Sequence, residues 1–306
     1  MSSSGSTRAI LAALFANAGI AVAKFIGFLI TSSSSMLAES VHSVADTSNQ
    51  ALLLFGQRRA RKDATSLHQF GYGRSRYFYS FVVALVLFTL GAAFALYEGY
   101  HKISHPTPLT SPMVAVVILV VAIGLESYSF RTAMVESRPL KGSGSWWQFI
   151  RHSRNPELPV VLLEDTGALL GLVFALLGVG LTVLTGDPIW DGIGTALIGA
   201  LLGVIAVILM VEMHSLLIGE GATVEVLAAI QAALEQTAHV DRVIHVRTQY
   251  LGPEEMLVGA KIALAPGTDL ATVAAAIDSA EAAVRAAVPA AEVIYLEPDL
   301  DRTPAR

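Results

Sequence analysis

The chain has 306 residues, 54% of them hydrophobic and 15% charged, with a mean hydropathy of +0.60. Soluble domains carry about 25% charged residues, so this composition excludes an ordinary water-soluble enzyme of this size. A net charge of −5 offers nucleic acid no basic surface, and the lack of cysteine excludes disulfides, thiolate catalysis and Cys-ligated metal.

Six windows reach the ~20 apolar residues that cross ~30 Å of hydrocarbon: 9–30, 36–57, 77–100, 112–134, 158–185 and 193–217. Turn-rich breaks separate them, TSSSS at 31–35, SHPTPLTSP at 104–112 and TGDP at 185–188. Arg8 before an apolar stretch, with FANA at 15–18, has the outline of a cleaved signal. The apolar run continues to Ile30, broken by Lys24, so a spanning helix is the better reading. Windows five and six are rich in glycine, as membrane helices are where they approach closely.

Basic residues set the orientation. Arg58, Arg59, Arg61, Lys62, Arg74 and Arg76 follow window two, and Arg138, Lys141, Arg151 and Arg154 follow window four. The opposite-side breaks hold Lys102, with Asp187 and Asp191 near the last. Both termini are therefore expected in the cytoplasm. The compact loops and Ala/Val/Gly-rich composition suggest a bacterial plasma membrane.

Beyond about Gly219 the charge density becomes normal. The expected elements are a helix over 223–237, an alternating strand over 240–250 and a turn at Gly252-Pro253. A strand over 256–264, a helix capped by Asp269 and a short strand over 291–296 complete an α-β-β-α-β sandwich. The fold class predicted is thus an α-helical membrane protein of six spans, residues 1–218, with a cytoplasmic α+β domain, residues 219–306.

Ionisable groups inside a bilayer cost at least ~2.5–3.5 kcal/mol each. Window two reads MLAESVHSVADTSNQALLLF, in which His42 and Asp46 lie one turn apart on one face, with Glu39 a turn toward the exterior. Window five carries adjacent Glu164 and Asp165, and window four carries Glu126. Asn17, Asn49, Gln50 and Ser127 read best as hydrogen-bonding groups that hold the bundle together. Glu39 and Glu126 fit that role and a ligand's equally well. His42, Asp46 and Asp165 together form an N/O ligand set suited to a borderline divalent transition metal. Two close carboxylates repel unless a proton or a cation lies between them, so metal entry expels protons.

The segments ESVHSVADTSNQ (39–50), LHQFGYGRSRY (67–77), VLLEDTGALLG (161–171) and GDPIWDGIG (186–194) resemble the cation diffusion facilitator family, in the branch that contains the vertebrate mitochondrial zinc transporter. The resemblance implies a homodimeric exporter that exchanges a divalent metal for protons. Zinc leads, with Mn, Fe, Co and Cd also compatible, and the metal is cargo rather than a prosthetic group. It implies His42, Asp46 and Asp165 as metal ligands. The family's fourth ligand falls on Val161, which cannot bind metal. Glu164 lies about 100° around the helix from Asp165 and reaches the ion if the helix is locally rotated; otherwise Glu126 or a water fills the gap. A second family site corresponds to Thr65, His68 and Tyr72, where one histidine survives, with Asp63 a weak substitute, and no stable metal is expected. In the soluble domain His245 matches a family ligand, but Lys261 and Leu296 stand where others belong, so the domain is expected to be a metal-poor dimerisation module. An intramembrane metalloenzyme and a non-transporting scaffold or metal sensor are the alternatives. The first would need paired HxxxH boxes or HExxH, which are missing here.

Overall fold

The computed structural model of the protein describes residues 18–265 and 267–299; the first part of the first window, 9–17, including Asn17, lies outside them. The described chain forms two compact units. One runs to Arg58 and resumes over Tyr77–His214; the other takes Arg59–Arg76 and the chain from Ser215 on. The loop after window two therefore packs with the C-terminal unit.

In the first unit α1 (Ala18–Thr31) and α2 (Ser34–Ala60) form a hairpin through the serine-rich turn. A third helix, Ser75–Ser104, consists of α3 (Ser75–Val86), a π-helical stretch (Leu87–Ala93) and α4 (Phe94–Ser104). Then come α5 (Pro112–Lys141), short α6 (Trp146–His152), α7 (Glu157–Thr185) and α8 (Ile189–Ile218). The sequence showed no sign of α6. A capping box starts it: the Ser145 hydroxyl accepts from the Gln148 N–H while the Gln148 side chain accepts from the Ser145 N–H.

Four helices, Ser75–Ser104, Pro112–Pro139, Glu157–Thr185 and Ile189–Ile218, are long and apolar enough to cross a membrane. The chain is an integral membrane protein, but six spans exceed what these helices establish. α1 is described over fourteen residues, and α2 is long enough but too polar, because Glu39, His42, Asp46, Asn49 and Gln50 interrupt it. Glycines bring the helix backbones together. A Cβ on Gly99 would lie 2.6 Å from the Ala196 nitrogen of α8, and one on Gly199 would lie 2.7 Å from the Leu96 nitrogen of α4.

The second unit holds α9 (Val224–Glu235), β1 (Val240–Gly252), β2 (Glu255–Leu264), α10 (Leu270–Ala287) and β3 (Val293–Asp299). This is the expected α-β-β-α-β order. The sheet runs β1-β2-β3, with the first pair antiparallel and the second parallel. Ile230 and Leu234 of α9, Ala280 and Val284 of α10, and Tyr250, Met256, Val258 and Ile294 of the sheet form the core. The register of β1 on β2 shifts at three places, and the middle one interrupts the alternation. The register shifts between Val243 and His245, so Val243 and Val246 both pack on the core while His245 is exposed.

Asp269 caps α10, its carboxylate accepting from the N–H groups of Ala271 (2.9 Å) and Thr272 (3.0 Å) and from the Thr272 hydroxyl (2.9 Å). The bonds from Thr272, then that from Ala271, hold the carboxyl below the ordinary aspartate range. A lowered folded value means that the cap stabilises above the unfolded aspartate range and is lost as pH falls through the folded value. Asp269→Ala should therefore speed amide exchange in the first turn of α10 at neutral pH. The difference from wild type should vanish in strong acid, as read by hydrogen–deuterium exchange.

Candidate metal centre

Helix α2 stacks Glu39, His42, Asp46 and Asn49 along one side, and all four are buried. Facing them is α7, whose glycines leave room for acids: a Cβ on Gly171 would lie 2.6 Å from Glu39 Oε1. Two turns earlier Glu164, also buried, accepts from Asn49 Nδ2 at 2.8 Å and faces the Asp46 carboxyl. The His42 Nδ1 atom is 3.5 Å from Asp46 Oδ1. The structure thus gathers His42, Asp46 and Glu164 between α2 and α7.

Asp165 occupies the next face. It is half-buried and accepts from Ser129 Oγ of α5 at 3.3 Å, on the side where Glu126 approaches. Val161 packs with Ala133, Phe149, Trp146 and Leu162 in an apolar cluster that joins α5, α6 and α7. That position serves packing, and Glu164 and Asp165 lie further along the helix.

No three His, Asp or Glu side chains among the described residues lie close enough together to hold a metal as they stand. What they share is unsatisfied hydrogen-bonding capacity. Both ring nitrogens of His42, Asp46 Oδ1, Glu39 Oε1, Asn49 Oδ1 and Gln50 Oε1 are buried without a hydrogen-bond partner among the described residues. Buried polar atoms are nearly always partnered, and these fall mainly along one helix face.

Two buried charge clusters escaped the sequence reading. Lys24, noted there as an interruption, is 1% exposed; its Nζ lies 3.0 Å from Glu39 Oε2 and 2.9 Å from Ser43 Oγ. A lysine within an apolar run signals a buried acid partner, and Glu39 sits in the facing helix. Asp191, counted above as a loop charge, is fully buried in the first turn of α8. It accepts from the Ser33 hydroxyl (2.8 Å) and from the N–H groups of Ser34 (2.8 Å) and Ser35 (3.3 Å), so it caps the start of α2. Lys102 Nζ lies 4.0 Å from its carboxylate. The run of serines at 32–35 is the trace that such a cap leaves in sequence.

The two weaker family positions are filled by contacts within the protein. Thr65 Oγ1 lies 3.4 Å from the Tyr72 hydroxyl, and the His68 ring stacks on that of Tyr72 at 4.6 Å. Lys261 stands opposite His245 in the sheet and binds Asp299 at 2.9 Å and Glu297 at 3.0 Å, bonds that hold its ammonium above the ordinary lysine range. The ammonium takes the acids that a metal at His245 would need.

Breaking a buried pair leaves its partner charged and uncompensated, at a cost of about 3–5 kcal/mol. Lys24→Met should lower stability by about that amount, and Lys24→Met/Glu39→Met should recover most of it. Thermal unfolding of the detergent-solubilised chain measures both.

Residues 10–218 match the cation efflux transmembrane domain. The chain is 31% identical over 251 residues to the mouse (Mus musculus) "Proton-coupled zinc antiporter SLC30A9, mitochondrial", covering 81% of this chain and 44% of that protein. It is 30% identical over 261 residues to "Metal tolerance protein C4" of Arabidopsis thaliana, covering 84% of this chain and 57% of that one. The chain therefore spans roughly half the length of these relatives. A solved structure, the nickel form of a MamM CTD variant, aligns at 21% identity with a TM-score of 0.25, covering 26% of this chain and all of that one. Neither curated name points to a bacterial plasma membrane, and that expectation draws no support from them. The match over residues 10–218 places the chain in the cation efflux family, a family of transporters rather than enzymes.

Proposed function

We propose that the chain exports a divalent transition metal, zinc foremost, from the cytoplasm in exchange for protons by alternating access. One observation carries this reading: the row of buried, unpartnered nitrogen and oxygen atoms on α2, faced by Glu164. In an apolar bundle such atoms have few occupants other than a proton or a cation. An imidazole with carboxylates suits zinc, and the name of the mouse relative favours the same ion.

His42, Asp46, Glu164 and Asp165 are the residues assigned to the ion. His42 and Asp46 supply one wall. Adjacent Glu164 and Asp165 give α7 a carboxylate toward α2 and another toward α5, so a turn of α7 about its axis exchanges them. Metal entering between Asp46 and Glu164 displaces the proton that two facing carboxyls otherwise share, and a proton returning weakens the metal's hold. Residues 1–218 form the transport domain, with six spans and both termini cytoplasmic. Residues 219–306 join two copies into a homodimer.

The test is metal uptake into proteoliposomes with an imposed pH gradient. Asp46→Asn, Glu164→Gln and Asp165→Asn should each slow zinc uptake by at least about tenfold, the loss expected when a charged ligand is removed from a buried site. Wild-type rates in all three would end the assignment. A panel of Zn, Mn, Fe, Co and Cd under the same gradient identifies the cargo.

A further inference from the structure

The segment from Arg58 to Arg76 holds Arg58, Arg59, Arg61, Lys62, Arg74 and Arg76 against a single acid, Asp63. The positive-inside rule explains such an excess. It does not explain where the fold puts these side chains. Within the second unit the segment is built rather than trailing. The His68 carbonyl accepts from the N–H groups of Thr65 (3.1 Å) and Gly71 (3.0 Å), and the Tyr72 carbonyl accepts from Ser75 N–H at 2.9 Å. Gly73 lies against β1 so closely that a Cβ there would be 2.8 Å from the Leu251 carbonyl oxygen. Between this segment and the sheet opens a cleft of about 540 Å³.

Arg59 and Arg74 both line the cleft, with His68, Tyr72, Ser75 and Gln249, and among the described residues no carboxylate lines it. The contrast with Arg76 is informative, because that arginine has Glu254 at 3.6 Å. Arg59 has its guanidinium carbon 5.9 Å from the centre of the Tyr72 ring, an arrangement that orients the guanidinium without neutralising it. Two arginines in a cleft without acids repel a cation and offer paired N–H groups to planar or tetrahedral oxyanions. Hydroxyl and amide donors on Tyr72, Ser75 and Gln249 add neutral hydrogen bonds, and the stacked His68 and Tyr72 rings give the cleft a flat apolar wall.

We propose that this cleft is an anion site that takes a phosphate-bearing ligand through Arg59 and Arg74. The phosphate belongs either to an anionic lipid headgroup, since Arg59 is in the last turn of α2, or to a soluble phosphate compound. The site is independent of the metal centre, and its test does not use transport.

The experiment measures the thermal shift of the detergent-solubilised full chain on titration with inorganic pyrophosphate, and separately with micelles doped with phosphatidic acid or with phosphatidylcholine. Wild type should be stabilised by pyrophosphate or by phosphatidic acid and not by phosphatidylcholine. A response to pyrophosphate assigns a soluble ligand, and a response confined to phosphatidic acid assigns the lipid. In Arg59→Gln/Arg74→Gln the half-saturating concentration should rise at least about tenfold, as two charge-assisted contacts are lost. In Arg61→Gln/Lys62→Gln, which removes the same charge outside the cleft, it should stay within about twofold, since exposed charges are screened. Should the glutamine pair fail to fold, Arg59→Lys/Arg74→Lys decides. It keeps both charges but loses the guanidinium geometry, so it should bind more weakly than wild type. No stabilisation by either phosphate probe, equal weakening in the two glutamine pairs, or wild-type binding in the lysine pair would overturn the proposal.

Discussion

The cost of holding charge in an apolar bundle governs this structure. Glu39 meets Lys24, and Asp191 meets the first-turn N–H groups of α2 with Lys102 behind them. Both acids are thereby compensated within the chain. Asp46, Glu164 and His42 meet no opposite charge of that kind: His42 faces Asp46 at 3.5 Å, Glu164 meets neutral Asn49, and both His42 ring nitrogens and Asp46 Oδ1 have no hydrogen-bond partner among the described residues. Burial applies the same penalty to each group. The difference in compensation is what separates the groups that hold the fold from those left to bind something else.

That division also sets what is fixed and what is free along α2. Its N-terminal end is tied to α8 through Asp191 and to α4 through Ser34, whose hydroxyl donates to Glu98 at 2.8 Å. A turn and a half further along, Lys24 of α1 pins Glu39. Past that point this face of α2 meets α7 through the bond from Asn49 to Glu164, next to the candidate ligands themselves. Toward its C-terminal end α2 is held by apolar packing on α3, with the Phe55 and Tyr79 rings 5.1 Å apart.

Much of this was legible in the sequence, because the relevant signals are local. The spacing of His42 and Asp46, the adjacency of Glu164 and Asp165, and the α-β-β-α-β order each depend on one segment's own periodicity. Contacts between segments were out of reach. Asp191 looks like a loop charge until Ser33, Ser34 and Ser35 are brought to it from 156 to 158 residues away. Lys24 reads as a flaw in an apolar run until Glu39 faces it. The division of labour between Glu164 and Asp165 depends on which neighbour each one meets, Asn49 or Ser129, and no spacing rule contains that. The shift in β1 at Ile244 breaks the alternation because it adds a residue, which a period of two cannot anticipate. The π-helical stretch over Leu87–Ala93 changes a helix from within and left no mark in the composition.

The second unit extends the same logic with the sign reversed. Lys261 sits beside His245 with two acids close by, which has the outline of an ion site. Its ammonium holds both Asp299 and Glu297, so the lysine itself is matched. Arg59 and Arg74 show the opposite condition: among the described residues, the cleft they line contains no carboxylate to meet them. Residue type alone would rank the lysine cluster above the arginine cleft, since it has more charged groups. Compensation reverses that order, because attraction for an ion comes from the charge that the fold leaves unmatched. By that criterion the cation site proposed on α2 and the anion site proposed in the arginine cleft are each marked by what their own neighbours fail to supply.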